Sequence, residues 1–415
     1  MASEAGETRK SSVSWRREIC ILLLAVAASA ALMLAILPDS PMVDEHFHHG
    51  QILFLLSGEF QRVPELTTPL GYHRAVAFLA RATGVESVTA LRAFSALLGL
   101  SCVFWVWLFL HRQASRLALI RSLQVLFCPL LWPFYFLIYT DLSSLSLVLI
   151  GVNLFAAGLI WQTAAIGILM LAWRQNNIVW SGLLWVAYCQ SNWPMGNRLA
   201  VWKPFILRLT ILALPMLVFA VFLWANQGVA LGDHAMHRIG QALYVSQLWF
   251  LLLVVWLLLL PLHIACLPKA IDWLRERGWR IVVLALLPPV IFFSFDVTHP
   301  YNLALPDFHL RNGLLSWLDQ DWFFLVLGAL AMTWTVLTLI VSPLNGPLGR
   351  WLYPLTALAL LPVELIEQRY YIVPVVLFLM LREPLGPRVE MALLLWFVAV
   401  SGALTTAIAS TRFFL

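Results

Sequence analysis

Arg16-Arg17-Glu18-Ile19-Cys20-Ile21-Leu22-Leu23-Leu24-Ala25-Val26-Ala27-Ala28-Ser29-Ala30-Ala31-Leu32-Met33-Leu34-Ala35-Ile36-Leu37-Pro38 sets a basic flank against an unbroken apolar run and closes it with proline. A helix needs about 20 such residues to cross the hydrocarbon core, and Ile19 to Leu37 supplies 19. Ala28-Ser29-Ala30 resembles a signal-peptide cleavage site, but the run continues past it, so an uncleaved first helix is expected. Arg9, Lys10, Arg16 and Arg17 precede it. The positive-inside rule then keeps the N-terminus cytoplasmic and brings the chain after Leu37 out on the opposite side.

The rest of the chain is of the same kind. Its 415 residues are 61% hydrophobic and 11% charged, with a mean hydropathy of +0.85; soluble domains carry about 25% charged residues. The expectation is an all-α integral membrane protein, a polytopic bundle of about eleven to thirteen transmembrane helices. The apolar runs are continuous rather than alternating, which excludes a β-barrel. After the first helix, spans are expected near 91–110, 117–139, 142–161, 163–173, 176–190, 205–225, 243–267, 281–296, 322–342, 351–362, 370–381 and 389–410. Four of these are too short to cross alone and must be broken or buried in the bundle. The whole chain, 1–415, reads as one domain with one long non-spanning stretch, 38–90. Short interfacial helices are expected there around Phe54–Phe60 and Tyr72–Ala82. The five cysteines show no metal or redox spacing and read as packing residues. The net charge of +5 fits membrane orientation and argues against a nucleic-acid partner.

Alternation puts the loops near 111–121, 191–204, 268–280, 343–350 and 382–388 on the cytoplasmic side. With the N-terminus and Arg208 they hold 17 of the 26 Lys and Arg residues. The opposite face receives Asp44-Glu45, Arg174-Gln175-Asn176-Asn177, Asp233-His234, His299-Pro300-Tyr301 and Glu364 to Arg369, so every unusual polar cluster is expected on one face. There is no Walker loop, dinucleotide fingerprint, internal repeat or Asn-x-Ser/Thr acceptor.

Met42-Val43-Asp44-Glu45-His46-Phe47-His48-His49, at the mouth of the first span, places two carboxylates beside three histidines. Such a pair serves as a solvated loop, or as the general base of a transfer reaction with the neighbouring acid aligning the acceptor or the helix end. The histidines and acids are also suitable metal ligands, but residues i and i+1 do not face each other on a helix, so the base role ranks above a metal. Trp173-Arg174-Gln175-Asn176-Asn177 interrupts two apolar half-spans, where an arginine either snorkels or faces a cavity and binds phosphate or sugar hydroxyls. Tyr139-Thr140-Asp141 reads as a helix cap. The stretches around Asp233, His299-Pro300-Tyr301 and Asp307 to Asn312 read equally as turns. Glu364-Leu365-Ile366-Glu367-Gln368-Arg369-Tyr370-Tyr371 suits a lipid-linked phosphate with Arg369 on the anion, or an internal Glu367–Arg369 pair.

Taken together, Met42–Gln51 with Leu66–Tyr72, Tyr139–Asp141, Arg174–Trp180, Asn226–His237 and Leu365–Tyr371 resemble the dolichyl-phosphate-glucose-dependent α-1,2-glucosyltransferases of the N-glycan pathway. That resemblance implies a GT-C type membrane fold, a polyprenyl-phosphate glucose donor, a lipid-linked or other glycan acceptor, and inversion at a lumenal or periplasmic face. By position it implies Asp44 as base and Glu45 as its neighbour. His48, Arg174, Gln175, Asn177, Asp233, His299, Tyr301, Glu367, Arg369 and Tyr370 would bind substrate. Phosphate is a good leaving group, so the chemistry requires no metal or other cofactor. Leu303-Ala304-Leu305-Pro306-Asp307-Phe308-His309 follows the family's Leu-Ala-Asp-Asn-Arg-His-Tyr pattern only loosely. The cytoplasmic loops are short and the chain is lysine-poor, features that suit a bacterial relative in an inner membrane with a periplasmic active site; in a eukaryote the place would be the endoplasmic reticulum membrane with a lumenal one. The rival readings are a transporter or flippase for a polar or lipid-linked substrate, which calls for inverted repeats and mid-membrane polar residues, and a membrane scaffold subunit.

Overall fold

The computed structural model describes residues 2–59, 61–195, 199–232, 240 and 242–415. It is built of helices: α1 Ala2–Ile36, α2 Glu45–Ser57, α3 Gly71–Thr83, α4 Val88–Arg112, α5 Ala118–Leu126, α6 Asp141–Ala156, α7 Ile160–Trp173, α8 Ile178–Asn192, α9 Leu199–Leu212 and α10 Leu214–Asn226. The C-terminal part continues with α11 Ser246–Leu258, α12 Leu260–Glu276, α13 Trp279–Ser294, α14 Pro300–Leu303, α15 Leu310–Gln320, α16 Trp322–Val341, α17 Gly346–Leu360, α18 Ile372–Leu381 and α19 Pro387–Ala409. Among the described residues β pairing is limited to two isolated bridges, His309 with Phe414 and Leu344 with Arg382.

Four single helices are long and apolar enough to cross a membrane: Trp15–Ile36 within α1, α4, α16 and α19. Counting α9–α10 and α11–α12 as one bent span each makes six. Fewer elements therefore span singly than the apolar runs predict, and prolines account for much of the difference. The run 117–139 is not one helix. Pro129 and Pro133 remove amide donors and disfavour helix before them, so α5 ends at Leu126 and the chain crosses the core as turns and a short 3-10 segment, Pro133–Phe136. The run 243–267 breaks at Pro261, where α11 and α12 diverge by 97°. The run 205–225 bends by 41° at Pro215. Outward-facing residues such as Leu24, Leu199, Trp224 and Phe293 are 71–85% exposed. That apolar exterior belongs in lipid, and the chain is an integral, multi-pass membrane protein.

The stretch after α1 also differs from expectation. α2 starts at Glu45, so the paired acids stand at a helix N-terminus rather than in a loop. One polar cluster lies away from the others, at the opposite end of α4 and α18. There Arg382 pairs with Glu390 at 2.6 Å, Gln124 donates to Glu390 Oε2 at 2.9 Å, and Arg121 donates to the Leu379 and Arg382 carbonyls. Arg382, counted from sequence as a loop charge, is fully buried and ties α5, α18 and α19 together.

α3 docks on the end of α7 because Gly71 opens it. A Cβ there would lie 2.4 Å from the Ala172 carbonyl oxygen and 2.9 Å from the Trp173 ring. Gly71→Ala is expected to destabilise the protein by about 1–3 kcal/mol through overpacking, read as a lower unfolding temperature in detergent. An unchanged unfolding temperature would contradict this close approach.

Candidate active site

Glu45 and Arg92 build the wall that carries Asp44. Arg92, one turn into α4, donates to Glu45 from Nε at 3.0 Å and from Nη2 at 2.6 Å. It also donates to the carbonyls of Pro38 and Ser40. The Glu45 carboxylate accepts from the amides of Met42 and Ile138, each at 2.8 Å. Both charged side chains are buried, so Glu45 does not reach the cavity. Of the two alignments open to the neighbouring acid, acceptor or helix end, the contacts of Glu45 are with the helix end: it clamps the Pro38–Asp44 turn to α4.

Consecutive helix positions are about 100° apart, so Asp44 faces the other way. It occupies the N-cap position of α2 without capping it, and its backbone amide donates to the Tyr139 hydroxyl at 3.2 Å. Val43 before it has φ +49°, a costly conformation for a β-branched residue, which the Glu45 clamp holds. The freed Asp44 carboxylate pairs with Arg369 at 2.8 Å and is 37% exposed.

Around Asp44 lies a cavity of about 480 Å³, within the usual range for ligand sites. Arg174, Tyr301, Arg311, Glu367, Arg369 and Tyr370 line it with His48. A smaller lobe of about 110 Å³ adjoins it, lined among others by Asp141, Gln175, Asn177 and His299. Arg174, Arg369 and Tyr370 belong to both lobes. Segments 325 residues apart thus meet at one place. Asp233 lies outside the described residues.

The charges form a chain. Arg311 pairs with Glu367, Glu367 with Arg369 at 3.2 Å, Arg369 with Asp44, and Arg174 with Asp141. Arg369 also stacks over the Tyr139 ring, 5.0 Å from its centroid. Burial pushes the Glu367 carboxyl up, but Arg311 and Arg369 outweigh it and hold the group below the usual carboxylate range. Arg174 is paired inward rather than snorkelling. It caps α7 in extended conformation, and the 3-10 turn Gln175–Asn177 then leads into α8.

His48 hydrogen-bonds His73 through Nδ1 and Nε2 at 2.9 Å. His46 and His49 do not join it, and among the described residues no three His, Cys, Asp or Glu side chains are placed to hold a metal. Burial, then Arg369 and Arg174, lower the His48 pKa to about 3 from the ordinary 6.5. A histidine neutral when folded but protonated when unfolded stabilises fully above pH 6.5, and the benefit is lost as pH falls from 6.5 toward 3. The unfolding temperature of wild type is therefore expected to fall between pH 7 and pH 5 more steeply than that of His48→Gln; parallel profiles would contradict the assignment.

The sequence pattern of the DIE2/ALG10 family matches residues 38–194 and 194–380, which takes in all the charged side chains of this site. The chain belongs to the DIE2/ALG10 family. An enzyme of Candida albicans named Dol-P-Glc:Glc(2)Man(9)GlcNAc(2)-PP-Dol alpha-1,2-glucosyltransferase is 25% identical over 278 residues, 62% of this chain and 60% of its own length. A Kluyveromyces lactis protein of the same name is 27% identical, with 63% of this chain and 54% of that protein covered. The chain thus spans little more than half the length of these two relatives. One from Arabidopsis thaliana is 24% identical, with 86% and 90% covered. Among solved structures, ArnT from Cupriavidus metallidurans bound to undecaprenyl phosphate gives a TM-score of 0.47 at 16% identity, covering 95% of this chain and 78% of that one.

The two lobes in this DIE2/ALG10 member hold residues the sequence reading set aside. Asp141 read as a helix cap, yet it pairs with Arg174 and lines the small lobe. Arg311 lay in a stretch weighed as a turn. Arg92 carried a usable signal: an arginine at the head of an apolar run needs a buried partner. His73 carried none.

Proposed function

We propose that the protein is an inverting glucosyltransferase that moves glucose from a polyprenyl-phosphate glucose donor to a lipid-linked glycan acceptor, forming an α-1,2 linkage. Family membership supports the reaction class and a GT-C type fold. The observation that carries the mechanism is the Asp44 carboxylate, freed from capping and facing a cavity that also contains Arg174, Arg311 and Arg369. In this mechanism Asp44 accepts the proton of the acceptor hydroxyl. The hydroxyl oxygen attacks the anomeric carbon, the carbon–oxygen bond to phosphate breaks, and polyprenyl phosphate leaves with the electron pair. The guanidinium groups offset the charge that develops on the leaving phosphate. His48, Asn177, His299, Tyr301 and Tyr370 serve as substrate-lining groups, and Glu367 holds Arg311 and Arg369 in place. The positive-inside argument supports chemistry on the non-cytoplasmic face, a periplasm or an endoplasmic reticulum lumen.

Purified protein supplied with labelled polyprenyl-phosphate glucose and a panel of lipid-linked acceptors is expected to transfer glucose to at least one of them. Failure to transfer from any polyprenyl-phosphate hexose would remove the proposal.

A further inference from the structure

Three oxygen atoms in the wall of the small lobe have lone pairs and no partner. Asp141 Oδ2, Gln175 Oε1 and Thr68 Oγ1 are buried and make no hydrogen bond among the described residues, and all three residues line this lobe. Asp141 is 5% exposed and Gln175 7%. Their other ends are committed, since Asp141 Oδ1 pairs with Arg174 and Gln175 Nε2 donates to the Thr67 carbonyl at 2.7 Å. Neither can turn elsewhere without breaking what it already makes. Buried polar atoms left without a partner are few in native proteins and call for an explanation.

A carboxylate oxygen, an amide oxygen and a hydroxyl, all unpartnered and all on residues that line one lobe, call for a ligand rich in O–H donors. A phosphodiester at neutral pH has none, and an isoprenoid tail has none. A hexose carries several on adjacent carbons. We infer that the small lobe seats the hexosyl ring of the donor, with Asp141, Gln175 and Thr68 as its specificity-determining residues; this rests on the glucosyl-transfer reading above.

The arrangement of the two lobes fits that assignment. Asp44 lines the large lobe and not the small one, so the acceptor hydroxyl approaches from the large side. Arg174, Arg369 and Tyr370 stand on the shared boundary with Thr68, where the anomeric carbon and the phosphate meet. Arg174 also neutralises Asp141, which lets a carboxylate sit beside a phosphorylated sugar without repelling it. Ile372 and Val373 at the start of α18 complete the wall with apolar surface.

The test uses polyprenyl-phosphate glucose and its 2-, 3-, 4- and 6-deoxy analogues as donors for wild type, Asp141→Asn and Thr68→Val. Wild type is expected to use at least one deoxy donor roughly 10- to 100-fold less well in kcat/KM than glucose, the usual effect of one lost hydrogen bond to a charged group. In Asp141→Asn the amide oxygen stays with Arg174 and an NH2 faces the sugar. That variant is slower overall but loses the discrimination against the deoxy donor whose hydroxyl Asp141 accepts. Thr68→Val keeps shape and charge, so it reports on the lobe even if Asp141→Asn does not fold. A merely structural role would slow all donors by one common factor; undiminished discrimination in every variant that folds overturns the assignment. Wild type inactive with every hexose donor would instead sink the transfer reading, a distinguishable result.

Discussion

Asp44→Asn is expected to lower turnover by at least about a hundredfold, within the range for a lost general base, in protein that stays folded. The substitution keeps shape and removes the lone-pair charge that takes the acceptor proton. Its structural cost is small because the Asp44–Arg369 pair is partly solvated, with side chains 37% and 18% exposed, and such pairs contribute about 0–1 kcal/mol. Arg369 also keeps Glu367 as a partner. The turn itself is held by Glu45 and Arg92, which the change leaves alone. The loss should therefore fall on kcat, with KM for the donor nearly unchanged, the pattern of an interaction made only in the transition state. Near-normal turnover in Asp44→Asn would take the base away from this carboxylate and the mechanism with it.

How much of this could be read beforehand depended on whether a feature is local. The first helix, the helical class and the break at Arg174-Gln175-Asn176-Asn177 follow from apolar runs and a polar interruption, both visible over about 20 residues. The meeting of Asp44 with Arg369 was reachable because the positive-inside count expected both segments on one face and the family resemblance put both in one site. The residues alone did not separate Asp44 from Glu45; only the family resemblance set the first as base and the second as its neighbour. Adjacent acids look alike in sequence, and which one enters the core is fixed by Arg92, 47 positions later. Asp141 was misread for the same reason: its partner Arg174 lies 33 residues on, so only local capping was legible. The 97° bend between α11 and α12 has a local cause in Pro261, but its size is set by packing that the sequence does not display.

Glu45→Gln should fail in the opposite way from Asp44→Asn, losing the fold before the chemistry. Glu45 and Arg92 are 0% and 1% exposed. Four donors converge on the carboxylate: two guanidinium nitrogens and the amides of Met42 and Ile138. Neutralising it strands the Arg92 charge in the core, and breaking a buried pair in this way costs about 3–5 kcal/mol. Typical proteins have only about 5–15 kcal/mol of stability in all. The expected result is a sharp drop in unfolding temperature and in recovery of folded protein, with kcat per folded molecule largely retained. Replacing both partners, Glu45→Leu with Arg92→Met, should restore part of the loss because no charge is then left unpaired. The recovery stays incomplete, since the Met42 and Ile138 amides and the Pro38 and Ser40 carbonyls also lose their partners. If Glu45→Gln instead unfolds like wild type and loses turnover, Glu45 acts on the substrate, and the clamp described here is not what holds Asp44 toward the cavity.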